Sequence, residues 1–287
     1  MRISLGFVTR KRPSYMIASV MSWLNSARDK TKLQFLIALD DDDYESLDRY
    51  KELEPLVKYY GADIELLVAP CSGYKKMYER HNEMLPLING DCIVMLADDF
   101  FCESLAWDDI IRDTLNKTYE EFGEDSPVLL WMCGHNLEKN HPECVGLNKN
   151  WLDIAGVFSP GNAPDAYARD MALSVGLPMV KPPIIFYHLQ RKLERPNELT
   201  QDNTEVFRKP PPYDGNEQLW LEYFGDVAKD PEWRKTVEHD HVYYDYCAGE
   251  IGQQFLAIRK RFLDKKMNKN YYDNLPSHLV RFLKEHG

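Results

Sequence analysis

A chain of 287 residues can bury a substantial core, enough for one large α/β domain or a domain with an appendage. Hydrophobic residues at 44% and aromatics at 12% exclude a disordered protein. No apolar run approaches the ~18 residues that a membrane span needs. The net charge of −11 hides an asymmetry, because residues 251–287 carry eight Lys/Arg against three acids. An acidic body repels nucleic acid, while the basic end reads as a solvated helix face or as a dock for a polyanion such as DNA or an anionic membrane. The stretch Met1–Thr9 is too short and too soon polar for a signal peptide, and it reads as a first buried strand. Cysteines at 71, 92, 102, 133, 144 and 247 form no CxxC pair, which suits free thiols in a reducing cytoplasm.

The first hundred residues alternate strand-like and helix-like segments, the pattern of a parallel sheet wrapped by helices. Ile3–Val8 is a short apolar strand. After Pro13, the residues Ile17, Val20, Met21 and Leu24 repeat on one helical face. Leu33–Leu39 is nearly continuous in apolar character, as a strand buried from both sides should be. The acids Asp40 to Asp43 follow, and Asp42 with Glu45 makes a capping box for the next helix. Ile64–Val68 reads as a third strand, and a helix runs from Ser72-Gly73 to about Leu85, stopped near Pro86. Asn89-Gly90 is a turn signal ahead of a fourth strand, Cys92–Ala97, which ends on Asp98-Asp99.

Val128–Cys133 reads as a further strand and Ala166–Val175 as a helix, before the apolar Ile184–Tyr187 closes on His188. From about Arg191 the composition shifts, with Pro196, Pro210-Pro211-Pro212 and many charges. Two units are therefore expected, a core over 1–190 and an extension over 191–287 whose Ile251–Phe262 stretch is an amphipathic helix. The extension serves either the acceptor side or packing.

Ligands of open α/β sheets bind outside the carboxyl ends of the strands, and both acidic clusters fall at such ends. One cluster alone caps the following helix as readily as it binds anything. Two, each at a strand end, supply what a hard cation such as Mg²⁺ or Mn²⁺ needs, namely carboxylates that share it with substrate phosphates. Other groupings are weaker. Cys133, His135, His141 and Cys144 match no common zinc spacing, and Glu238-His239-Asp240-His241 reads as an exposed loop. Tyr243, Tyr244, Tyr246, Tyr271 and Tyr272 read first as half-buried packing and second as stacking platforms.

The order of strands, helices and acids resembles family 2 glycosyltransferases of the GT-A fold. The matching pieces are Val8 to Pro13, Leu39-Asp40-Asp41, Arg80-His81-Asn82 and Asn89-Gly90-Asp91 through Leu96-Ala97-Asp98-Asp99. A looser likeness runs from Val145-Gly146-Leu147 through Phe158-Ser159-Pro160 to Asp165-Ala166-Tyr167. The resemblance implies a mostly parallel Rossmann-like sheet with a mainly helical C-terminal extension. It implies an inverting transfer of sugar from a nucleoside diphosphate donor, a UDP-sugar first, helped by Mn²⁺ or Mg²⁺. Thr9, Arg10, Asp40 and Asp41 would then meet the nucleoside, and Lys76 or Arg80 the diphosphate. Asp98 and Asp99 would act as a DxD-like pair with Asp99 the direct metal ligand, His188 would complete the metal shell, and Asp165 would be the general base with Asp170 in reserve. Three departures stand out: Glu83 where the family has Gly, Ala97 where a first DxD acid often stands, and Asp42-Asp43 in place of an Asp-Gly-Ser loop.

The acceptor is expected to be a glycan or lipid-linked sugar, or a hydroxymethylated pyrimidine in phage-type DNA. Two other readings compete. A nucleotidyltransferase shares the sheet and the acids but carries a Gly-rich loop after strand one, which Thr9-Arg10-Lys11-Arg12-Pro13 lacks. A non-catalytic GT-A-like binding module would hold nucleotide without metal.

Overall fold

The computed structural model describes residues 1–71, 77–134, 143–161, 164–189, 249–265, 279–280 and 283–284. The elements are β1 (Ile3–Val8), α1 (Pro13–Ser26), β2 (Leu33–Asp40), α2 (Tyr44–Tyr59), β3 (Asp63–Ala69), α3 (Met77–Glu83), β4 (Cys92–Ala97) and β5 (Phe100–Cys102). They continue with α4 (Trp107–Phe122), β6 (Leu129–Met132), β7 (Cys144–Asn148), α5 (Lys149–Ala155), α6 (Pro164–Val175), β8 (Met179–Val180), β9 (Phe186–His188) and α7 (Gly249–Asp264).

Seven strands form one sheet in the order β3-β2-β1-β4-β7-β6-β8, and β5 pairs with β9 in a separate ladder. The strands β3, β2, β1 and β4 run parallel, while β7 is antiparallel to β4 and β6. The chain steps outward from β1 to β2 and β3, then returns to lay β4 on the other flank of β1. The strand order therefore reverses between β1 and β4, and loops leaving their carboxyl ends diverge to leave a crevice.

Period-two alternation sends each strand's side chains into two apolar layers. On one face Leu33, Phe35, Ile37 and Leu39 of β2 pack with Trp23 of α1 and Trp107 of α4. On the other, Leu36 and Ala38 pack with Trp151, Phe158 and Tyr167. Both faces are covered, which is why β2 is apolar apart from Gln34 and the terminal Asp40. The helix α7 belongs to the second layer, with Phe262 5.0 Å from Trp151 and Phe255 5.9 Å from Tyr167, ring centre to ring centre. Among the described residues, no helix is long and apolar enough to cross a membrane.

Several local expectations shift. Asp43 rather than Asp42 caps α2, accepting from the Ser46 N–H at 3.2 Å, because Asp42 is drawn to Arg10. The buried stripe of α1 is Met16, Ser19, Val20, Trp23 and Leu24, with Ile17 and Met21 only partly buried. The Trp23 indole sets this rotation by donating to the Phe100 carbonyl at 2.9 Å. The helix expected from Ser72 is seen over Met77–Glu83 and ends in a 3-10 turn at Leu85–Leu87, while residues 72–76 lie outside the described part. The helix α4 and the strand β7 add to the expected elements; β7 is short and interrupted by Gly146, which leaves little periodic signal. His135, His141, residues 238–241 and the late tyrosines also lie outside the described residues.

Candidate active site

Four consecutive residues of the β1–α1 loop are each tied to an acid. Thr9 donates its hydroxyl to Asp98 Oδ2 at 2.6 Å. Arg10 reaches Asp40 at 2.7 Å and Asp42 at 2.8 Å. The Lys11 N–H donates to Asp43 Oδ2 at 2.5 Å, and the Arg12 guanidinium lies 2.8 Å from Asp98 and 3.4 Å from Asp99. Lys11 takes a left-handed conformation, φ 53°, to let its neighbours point to opposite sides. One loop thus joins the acids at the end of β2 to those at the end of β4, across the intervening β1.

The β4 side is the more buried. Asp98 and Asp99 are 4% and 1% exposed. Burial raises Asp98 to about 6, opposed by the Arg12 charge and the Thr9 hydroxyl and assisted by the neighbouring Asp99. The turn is anchored from below, where Ser19 and Trp23 of α1 both donate to the Phe100 carbonyl, at 2.5 and 2.9 Å. Pairing of Phe100 with His188 in the β5–β9 ladder then sets the imidazole over Asp99, Nε2 to Oδ1 at 3.6 Å, with Leu189 N–H on the Asp99 carbonyl at 3.1 Å. Glu143 stands 4.0 Å from His188 Nδ1. Gly134 has φ 58°, and a Cβ there would fall 2.9 Å from the Phe186 carbonyl, so only glycine lets the main chain at this position lie so close to β9.

On the β2 side Asp40 is half-buried and Asp41 and Asp42 are exposed. The hydrogen bond from Arg10 holds Asp42 below its ordinary range, and that bond likewise raises Arg10. Arg80 is buried here, bonded to Glu83 and to the Pro70 carbonyl, with Nε 3.6 Å from Asp40. It therefore backs the β2 cluster and is not beside Asp98-Asp99. Lys76 lies outside the described residues. Next to Arg80, Asn82 accepts from the Phe158 and Ser159 N–H groups at 2.7 and 3.1 Å and donates to the Ser159 carbonyl at 2.7 Å. This clamp fixes the segment that runs into α6, whose first turn carries Asp165. Burial raises the Cys144 thiol well above its ordinary value, and the charges of Glu143 and Asp165 add to it. Asp170 is fully buried and paired with Arg169 at 2.8 Å.

On the β4 side two donors of the kind a divalent cation takes face each other, the buried Asp99 carboxylate and His188 Nε2 at 3.6 Å, while Glu143 lies off the other ring nitrogen. The side-chain contacts of Asp99, at 3.4 and 3.6 Å, are long for hydrogen bonds. Among the described residues, Asp40, Asp42 and Cys71 are the group of three whose ligand atoms all lie within 4.8 Å of one another. An arginine pairs the acids on both sides, Arg10 on Asp40 and Asp42 and Arg12 on Asp98 and Asp99, but Asp42 and Cys71 are exposed where Asp98 and Asp99 are buried.

No protein-family model matches the sequence, and no curated protein matches it either. Solved structures do. The mannosyltransferase PcManGT from Pyrobaculum calidifontis, in complex with GDP-Man and Mn²⁺, is similar over 99% of this chain and 74% of its own, at 11% identity and TM-score 0.52. The fold is of the GT-A type. S. aureus TarS 1-349 in complex with UDP is similar at 13% identity and TM-score 0.47, over 65% of this chain. The likeness spans 60% of that TarS chain. Glucosyl-3-phosphoglycerate synthase from Mycobacterium tuberculosis, in complex with Mg²⁺ and UDP, is similar at 11% identity and TM-score 0.45, over 70% of this chain and 73% of that one.

Proposed function

We propose that the chain is a metal-dependent, inverting glycosyltransferase of the family 2-like GT-A kind. It moves a sugar from a nucleoside diphosphate donor, with UDP-sugars the first to test and GDP-sugars the second, to an acceptor hydroxyl. The observation that carries this reading is the buried Asp98-Asp99 pair at the carboxyl end of β4, where strand order reverses, with His188 across from it. The fold shared with a sugar-nucleotide enzyme supports it.

Thr9, Arg10, Asp40 and Asp41 hold the nucleoside, with Arg80 bracing Asp40 from behind. Asp99 and His188 would hold Mn²⁺ or Mg²⁺, with Asp98 completing the DxD-like pair on the donor side, and the cation when bound would offset the charge growing on the departing diphosphate. Asp165 takes the proton of the acceptor hydroxyl as its oxygen bonds to the anomeric carbon. The bond from that carbon to the diphosphate oxygen breaks with its electron pair, and a single displacement inverts the centre. Residues 1–190 are the donor-binding core in this reading, and 191–287 an extension that serves either the acceptor side or packing.

Of the two acceptor classes, the saccharide hydroxyl is favoured over a DNA base. One cation of the basic C-terminal segment is engaged within the fold, Arg261 on the Ala155 carbonyl at 2.8 Å.

Thermal melts against a panel of nucleotides and nucleotide-sugars, with and without Mn²⁺, test the reading. A ligand at 100-fold its Kd stabilises by about 2.7 kcal/mol. One donor should raise the melting temperature only with the metal present; a flat panel sinks the assignment. General-base assistance is worth about 10²–10⁴-fold, so Asp165→Asn should lower turnover by about 100-fold or more and leave donor affinity nearly unchanged. Collapse of donor affinity instead would remove Asp165 from the base role.

A further inference from the structure

The β1–α1 loop places one cation across the two carboxylates that the proposed metal site uses. Arg12 Nη1 is 2.8 Å from Asp98 Oδ1, and Nη2 is 3.4 Å from Asp99 Oδ2. Its guanidinium also lies over the Tyr15 ring, 4.5 Å from the centroid. The backbone beneath is fixed, with the Arg12 carbonyl accepting from Met16 N–H at 3.0 Å and the Lys11 N–H held by Asp43 at 2.5 Å. The side chain is free to change partners where the main chain is not: it is 21% exposed, against 2% for Asp99.

A dication on Asp99 and a guanidinium on the same pair of acids compete for the same oxygens and repel each other. A donor that brings its own negative diphosphate beside the metal relieves this conflict by offering the guanidinium a new anion. Arg10 has no such part, because its partners Asp40 and Asp42 belong to the β2 cluster.

We propose that Arg12 is an exchangeable counter-ion, seated on Asp98 and Asp99 until metal and donor arrive and then transferred to the donor's diphosphate. Cation and donor therefore load together, and Arg12 positions the leaving group. This rests on the metal and donor reading given above. It predicts that Arg12 weakens binding of the metal alone and strengthens the mutual effect of metal and nucleotide.

The test titrates Mn²⁺ into the full chain by calorimetry and follows free Mn²⁺ by electron paramagnetic resonance, without nucleotide and then with saturating UDP or GDP. Arg12→Gln should bind Mn²⁺ alone about 10-fold more tightly than the wild type, and the further gain on adding nucleotide should shrink by a similar factor. Arg12→Lys keeps the charge without the two-pronged geometry, so its increase should be smaller, about 3-fold. Equal or weaker Mn²⁺ binding by Arg12→Gln, with a cooperative melt, overturns the counter-ion role. If that variant does not melt cooperatively, Arg12→Lys decides alone, and no rise in its Mn²⁺ affinity overturns the proposal. Absence of Mn²⁺ binding from wild type and variants alike, with or without nucleotide, overturns the metal site itself, an outcome distinct from equal affinities.

Discussion

Asp98 shows what a functional carboxylate costs the fold. Its ordinary value of 3.8 is raised to about 6, so the folded chain holds a proton that the unfolded chain gives up. The stabilisation from the neutral acid is complete below about pH 3.8 and is lost as pH rises through about 6. His81 works the other way: burial lowers it from 6.5 to about 4, so its contribution is present above pH 6.5 and is lost as pH falls through about 4. Over one window the two oppose each other. Asp98→Asn should therefore raise stability at pH 8 by on the order of 2–3 kcal/mol, with little gain at pH 4. It should also leave a variant whose stability falls with acid over the His81 range. Urea melts at the two pH values check this, and equal stability of wild type and variant at pH 8 would refute the burial argument. The gain should come with loss of metal-dependent donor binding, since a site kept for function is seldom the most stable choice.

At the scale of elements, the β1–α1 loop carries most of the site's organisation, and its weak point is Lys11. A side chain held at φ 53° costs about 1 kcal/mol, more if branched at Cβ. Lys11→Gly should stay within about 0.5 kcal/mol of wild type, the relief of strain offset by the greater entropy of the unfolded chain. Lys11→Val should lose about 1–2 kcal/mol and weaken nucleotide binding, because Arg10 and Arg12 would no longer diverge. Comparable melts and affinities for both variants would show that the loop does not depend on this residue. The motif Arg80-His81-Asn82 was visible in the sequence as a unit, yet its parts turn in different directions. Arg80 supports Asp40, His81 packs 5.6 Å from Phe158, and Asn82 clamps the approach to Asp165. A seven-residue helix has little periodicity from which to assign such facings.

In the whole molecule, two apolar layers clamp a sheet whose order reverses between β1 and β4, and the C-terminal helix closes one of them. Phe262 is fully buried against Trp151, so Phe262→Ala should cost about 3–5 kcal/mol. A single cooperative denaturation curve shifted by that amount would show that α7 is part of the core. A small, separate transition would mark it as an independent appendage. The basic stretch reads in sequence as a solvated helix face or a polyanion dock, and its Arg261 donates to the Ala155 carbonyl at the end of α5, a contact between residues 106 apart in sequence.

Strand identity, the two-sided burial of β2 and the arrival of carboxylates at strand ends could all be read from the chain, because each is a local pattern of a few residues. Which cation meets which carboxylate could not. Arg10 joins Asp40 across 30 residues, Thr9 joins Asp98 across 89, and His188 reaches Asp99 through a separate ladder. Glu143 and Arg12 were passed over as site residues for the same reason, since neither sits in a pattern that marks it. Strand order brings these groups together, and strand order is a property of long-range packing that no window along the sequence contains.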